Sequence, residues 1–167
     1  MEHIPQKNQK GKKLSVCFLI LACIGLIGTS VLDIGYRWFY QLVSVLAYIV
    51  SFELLNRYYF STYTYRVTEK DFMIVRTTGK RARTLCNLAL STMIAIEKKP
   101  GTKEEKEAIT KRYGKVNMHY NYCQTFAPKT AYVILFEFNG KIAQIAFEPN
   151  EAMVYHLNEI LRAENVL

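Results

Sequence analysis

From Leu14 to Leu32 the chain reads LSVCFLILACIGLIGTSVL, with no charged residue. At about 1.5 Å of rise per residue, a helix of roughly 19 residues crosses a hydrocarbon layer about 30 Å thick, so this run has the length of one transmembrane span. A second apolar run, Trp38 to Leu55, follows after only Asp33 to Arg37. Gln41 and Glu53 interrupt it near its two ends, where a polar side chain can reach the headgroups. Two spans joined by so short a connection predict a hairpin. The expected organisation is a basic tail (1–13), spans at 14–32 and 38–55, a short external loop (33–37), and a domain over 56–167 long enough for one core of its own.

Two rival readings of the first run are a cleaved secretory signal ending near Gly28-Thr29-Ser30 and a lipoprotein-like Ile20-Leu21-Ala22-Cys23. Against both, the apolar run continues past each candidate site and a second span follows at once. Inside the first span Ala22, Gly25 and Gly28 recur every three residues, and Gly25 with Thr29 makes a small-xxx-small pair. Small residues let helix backbones approach closely, so these four are expected to pack against the second span or a neighbouring copy. Lys7, Lys10, Lys12 and Lys13 precede the first span, Arg37 alone lies between the spans, and Arg57 and Arg66 follow the second. The excess of basic residues in short flanks stays inside, so both termini are predicted to be cytoplasmic in a multi-pass protein of the cell membrane. Tyr36, Trp38, Phe39 and Tyr40 at one boundary and Tyr58, Tyr59 and Phe60 at the other have the composition of interfacial aromatic belts.

Beyond Ser61 the texture changes to short aromatic and β-branched runs bounded by turn residues, the pattern of an antiparallel sheet. Ser61 to Val67 places Tyr63, Tyr65 and Val67 on one face and Thr62, Thr64 and Arg66 on the other. Further strands are predicted at Asp71 to Thr77, at Lys80 to Cys86 after a bend at Gly79, and at Thr92 to Glu97. Lys98 to Gly114 holds Pro100, Gly101 and dense charge of both signs, and reads as an exposed loop with one short helical stretch near Glu104 to Arg112. Strands resume at Lys115 to Phe126 and Ala131 to Phe138; Asn139-Gly140 then predicts a type I′ turn into Lys141 to Phe147. A closing helix is capped by Asn150, carries Glu151 in its first turn, and has Met153, Leu157, Ile160 and Leu161 as its apolar stripe.

The residues Tyr63 to Val67, Phe72 to Val75 with the Gly79 turn, Leu88 to Ile96, and Phe147-Glu148-Pro149 before the Met153 and Leu157 helix carry a family likeness. Over roughly Ser61 to Arg162 the chain resembles the bacterial pleckstrin-homology-like (PH-like) domains that follow one or two transmembrane helices. The resemblance implies an α+β protein in which a seven-stranded, partly open barrel is closed at one end by the final helix, with Met153 and Leu157 buried beneath it. The charged stretch 98–114 departs from the compact form. PH-like folds bind lipids, peptides or proteins, so the likeness leaves the ligand open.

The sharpest functional cluster is basic: Lys80, Arg81 and Arg83 beside Gly79, with Lys70 and Arg76 on the neighbouring hairpin and Lys98 and Lys99 further on. Arg can grip a phosphate with a bidentate fork and Lys as a point charge, and a chain of net charge +8 favours anionic partners such as lipid headgroups. The plain alternative is a solvated charged face. In PH domains that bind phosphoinositides the basic residues gather on the first hairpin; Thr78 stands where a further one would fall. His119 and Cys123 share a strand face but lie about 13 Å apart at roughly 3.3 Å per residue, too far to share a proton or an ion. His156 reads as a boundary residue of the last helix. The four cysteines, Cys17, Cys23, Cys86 and Cys123, show no metal-ligand spacing, and no phosphate loop, paired carboxylate or serine elbow occurs.

No cofactor, metal or nucleic-acid partner is therefore expected. The leading expectation is a non-catalytic, membrane-anchored PH-like module that binds a protein or peptide partner, a further copy of itself included, or regulates a neighbour in the bilayer. Recognition of anionic headgroups through the basic loop is the alternative, and a small membrane enzyme of unknown chemistry stands third.

Overall fold

The computed structural model describes residues 1–6, 9–31, 35–125, 128 and 130–164. The chain divides into two units, Lys7–Thr62 and a second made of Met1–Gln6 with Tyr63–Leu167. Of the positions that enter the expectations above, Lys7, Leu32, Asp33, Phe126 and 165–167 lie outside the described residues.

The helical unit holds α1 (Gln9–Val31) and α2 (Arg37–Leu55), which runs on through a π-helical turn at Asn56–Phe60. Both helices are long and apolar enough to cross a membrane. Their burial is inside out for a water-soluble pair. The buried positions are Gly11, Ser15, Ala22 and Thr29 on α1 and Ser51 on α2, whereas Ile27 is 65% exposed and Phe52 59%. In water the large apolar side chains would be the buried ones. The hydroxyls are satisfied within their own helices: Ser15 donates to Lys12 O, Thr29 to Gly25 O and Ser51 to Ala47 O, at 2.7–2.9 Å. Arg37 donates its guanidinium to the Ser30 carbonyl, supplying a partner to the end of α1.

The second unit is α+β and carries the main core. One four-stranded sheet has the order β1-β2-β3-β4, formed by Glu2–His3, Ser61–Val67, Asp71–Thr78 and Arg81–Ala89. The other has the order β5-β7-β8-β6, formed by Met93–Lys98, Tyr132–Phe138, Lys141–Phe147 and Val116–Asn121. Helix α3 (Lys103–Tyr113) joins β5 to β6, and α4 (Glu151–Glu164) closes the chain. The core gathers Tyr65, Phe72, Ile74, Ile134, Ile145, Phe147, Met153 and Leu157 from both sheets and α4. Phe147 packs edge-on against Tyr65 and Phe72, with ring centroids 5.5 and 5.2 Å away. The expected alternation of Ser61–Val67, the burial of Met153 and Leu157, and the Asn150 cap, whose Oδ1 accepts from Met153 N at 2.9 Å, are all present. Asn139 and Gly140, at φ 51° and 69°, make the expected turn.

Three expectations need correction. Instead of a single seven-stranded, partly open barrel, the strands among the described residues form two separate four-stranded sheets. The strands are not all antiparallel, because β6 pairs parallel with β8, Val116 opposite Ile142 and Tyr120 opposite Ile145. β5 pairs antiparallel with β7, and β7 with β8, so β5 and β6 run the same way, and parallel strands need a long crossover. The charged stretch supplies it. The short helix expected near Glu104 to Arg112 is present and runs one residue further at each end, with a Thr102–Glu105 capping box, and Gly114 at φ 97° turns the chain into β6. Finally, the start of the basic tail is no loose appendage. Glu2 and His3 pair with Arg66 and Tyr65 of β2, Glu2 salt-bridges Arg66 at 3.0 Å, and His3 stacks on Tyr65. Lys10, Lys12 and Lys13 belong to α1, with the Lys12 ammonium over the Tyr59 ring.

Candidate functional site

The basic cluster sits at the tip of the β3–β4 hairpin. Gly79 adopts φ 59°, and the register sets Thr78 opposite Arg81 and Arg76 opposite Arg83. Cross-strand partners share a face, so Arg76 and Arg83 leave the hairpin on the same side, with Lys80 and Arg81 exposed at the turn. Like charges placed opposite each other repel, and a bound anion would offset that cost. Lys70 does not join them. It lies just before the other end of β3, where its carbonyl accepts from Leu90 N, roughly 26 Å along the strand from Thr78 at about 3.3 Å per residue. Lys98 ends β5 in the other sheet and Lys99 follows it.

A different feature escaped the sequence reading. β4 and β6 are the terminal strands of their sheets, and a groove of about 290 Å³ opens between them, lined by Leu85, Leu88, Tyr120, Tyr122, Phe136 and Phe138. Tyr120 and Tyr122 stack with an interplanar angle of 4°. Tyr120 is 39% exposed and Phe138 49%, so these rings are partly available at the surface. The sequence signal is the i, i+2 spacing of the two tyrosines, in step with Val116 and Met118, while the alternate positions Asn117, His119 and Asn121 are polar.

Beneath the groove a buried node joins the two sheets. Tyr65, fully buried, donates its hydroxyl to the Tyr122 carbonyl at 2.9 Å and accepts from Glu148 N at 3.3 Å. Burial pushes this phenol far above its ordinary range, against a smaller opposing pull from the Glu148 backbone hydrogen bond. Gln124, also buried, accepts from Tyr63 N at 3.1 Å. Burial likewise raises the Cys86 thiol beside the groove, which keeps it protonated and weakly nucleophilic.

His119 and Cys123 are not brought together. The strand ends at Asn121, Cys123 is fully buried with Ala131, Val133 and Ala146, and His119 is exposed. His156 is half-buried on α4. Among the described residues no group of three His, Cys, Asp or Glu side chains could hold a metal ion. Of the small residues in α1, Ala22 and Thr29 are buried and a Cβ on Gly25 would come within 2.9 Å of Ser44 Oγ of α2. Gly28 meets only open space. The seam extends further than the sequence reading took it, because a Cβ on Gly11 would strike the Tyr58 ring.

The family described as Bacterial PH-like domain (DUF6106) matches residues 1–166, so the match takes in both helices as well as the sheets. No curated protein matches the chain.

Proposed function

Because the chain belongs to the bacterial PH-like domain family, we propose that it is a non-catalytic binding module, anchored in the bilayer by α1 and α2, that holds an extended peptide of a partner protein between β4 and β6. The observation that carries the binding reading is the groove itself. Two terminal strands flank it, the stacked Tyr120 and Tyr122 and the exposed Phe138 supply apolar contact, and β4 continues into Arg83 and Arg81. A strand added to such an edge gains main-chain hydrogen bonds, places alternate apolar side chains in the groove, and can set acidic ones against the arginines. The anchor rests on the inverted burial of the helical unit, whose large apolar side chains face outward. Same-side termini draw support from β1. The chain leaves the sheet that contains β1 to enter α1 and returns to it in β2, so a spanning hairpin would begin and end on one side. The lysines ahead of α1 favour the cytoplasm for that side.

The test is photo-crosslinking in living bacteria with a benzophenone amino acid in the full chain. At Phe138 it should yield a discrete protein adduct that Tyr122→Glu abolishes, and at Tyr155, exposed on α4, it should not. No adduct at Phe138, or the same adduct from both sites, would remove the groove as the binding surface.

The crowding of Arg76, Lys80, Arg81 and Arg83 favours a second reading, attraction of the β3–β4 tip to anionic headgroups. Each cation near such a surface contributes on the order of 1 kcal/mol, weakened by salt. Reversing Lys80, Arg81 and Arg83 to Glu should then abolish the low-salt preference of the purified chain for anionic over zwitterionic vesicles. An unchanged preference would make the cluster ordinary surface.

A further inference from the structure

We infer that the cleft between α3 and the β6–β8 edge is a binding site for a phosphate-bearing ligand, separate from both the groove and the basic hairpin. The cleft has a volume of about 500 Å³, suited to a small organic molecule, and its cations are Lys99, Lys106 and Lys115, with the His119 imidazole beside them. These four residues come from four places. Lys99 follows β5 and is fixed by its backbone amide, which donates to Ala131 O at 2.8 Å; Lys106 lines the cleft from α3, one turn before Thr110; Lys115 enters β6 after the Gly114 turn; and His119 lies opposite Gln144 of β8. Ile109 and Val116 give the cleft an apolar floor.

Charge balance makes the cleft a site rather than a solvated surface. No carboxylate lines it, and among the described residues the side chains of Lys99, Lys106, Lys115 and His119 make no hydrogen bond or ion pair. The two acids of the adjoining cleft, which shares Lys99 and Ile109 with this one, are committed elsewhere. Glu97 accepts from Arg112 at 3.0 Å and from the Tyr113 hydroxyl at 2.7 Å, while Glu105 accepts from the amides of Gly101 and Thr102. Those two amides, helped by Lys98, hold the Glu105 carboxyl below its ordinary range, so it stays an anion spent on the helix cap. Convergent ammonium groups with an apolar floor recognise a polyanion attached to a less polar body, whether a phospholipid headgroup or a soluble phosphate ester.

The test uses the full chain in zwitterionic nanodiscs, titrated calorimetrically with inorganic triphosphate. Saturable binding should weaken at least ten-fold in Lys106→Gln/Lys115→Gln and stay within about two-fold of the parent in Lys80→Gln/Arg81→Gln/Arg83→Gln. Discs containing phosphatidic acid distinguish the sources. Suppressed triphosphate binding relative to discs of equal phosphatidylserine content indicates a lipid headgroup, and unchanged binding indicates a soluble ligand. The inference is overturned by an absence of saturable binding, by equal binding in the Lys106/Lys115 variant, or by a loss that follows the hairpin cations instead. All substituted side chains are exposed, so unchanged melting will certify the fold. Failure of the peptide groove leaves these outcomes unaffected.

Discussion

Tyr65→Phe removes one oxygen from the node that ties the two sheets together, and its cost can be worked from the geometry. The ring keeps its edge contact with Phe147, so no cavity opens. Two partly buried backbone groups lose the hydroxyl as a hydrogen-bond partner, the Tyr122 carbonyl at 2.9 Å and the Glu148 amide at 3.3 Å. An unsatisfied buried group costs about 1–3 kcal/mol, and the longer bond contributes less, so the expected loss is roughly 2 kcal/mol. For a domain of this size that lowers the melting temperature by about 8–15 °C. Near-UV circular dichroism of the full chain in mild detergent would read it, with Tyr155→Phe on the exposed face of α4 shifting little. A pH series adds a second leg. The phenol of Tyr65 is raised in the folded state, so its contribution is fully present below the unfolded value near pH 10 and is lost as pH climbs above it. The parent should lose that increment on the alkaline side while Tyr65→Phe does not, and the gap between them should narrow above about pH 10. Equal melting at neutral pH, or a gap constant through pH 11, would refute the buried hydrogen-bonded hydroxyl.

Leu157→Ala empties a fully buried site under α4 and should cost about 2–5 kcal/mol by urea denaturation, whereas the exposed Glu159→Ala should stay within roughly 0.5 kcal/mol. Gly25→Leu should lower the concentration of sodium dodecyl sulfate that separates the helical hairpin, followed through the single tryptophan Trp38, because its side chain would enter the space of Ser44. Gly28→Leu, facing open space, should leave that midpoint unchanged or raise it through helix propensity. Thr102→Ala breaks the capping box and should speed amide exchange across α3 by the equivalent of about 1 kcal/mol. The Glu105 carboxyl is depressed in the folded state, so its share of the cap is present at neutral pH and should fade as pH falls below the ordinary carboxyl range.

Local periodicity made most elements readable. Ser61–Val67 alternates, Asn139-Gly140 can adopt positive φ, and the Met153–Leu161 stripe matches a helix, each settled within a few residues of chain. Topology was harder because it depends on pairing at long sequence separation. The charged segment shows its short helix locally, but nothing local shows that the strands it joins run parallel, and only that pairing makes α3 a crossover. Glu2 and His3 form a strand too short to show a period, and they find β2 only after the chain has passed through both helices. The same reason hid the candidate sites. Tyr120 and Tyr122 line a groove only because β6 stands at a sheet's end, and Lys99, Lys106 and Lys115 line one cleft only because α3 folds back beside β6. The hairpin cations were legible, since Arg76, Lys80, Arg81 and Arg83 are close in sequence, and Lys70 was wrongly grouped with them because sequence proximity does not distinguish the two ends of a strand.

The central claim is a module held in the bilayer by α1 and α2 with its sheets in the cytoplasm, and thiol accessibility tests it most directly. In a chain whose Cys17, Cys23, Cys86 and Cys123 are replaced, Gly35→Cys lies between the helices and Lys103→Cys at the start of α3, both exposed. An impermeant maleimide on intact cells should label Gly35→Cys and reach Lys103→Cys only after permeabilisation. Labelling of Lys103→Cys with protection of Gly35→Cys would invert the topology, and equal labelling of both on intact cells would contradict a membrane-spanning hairpin.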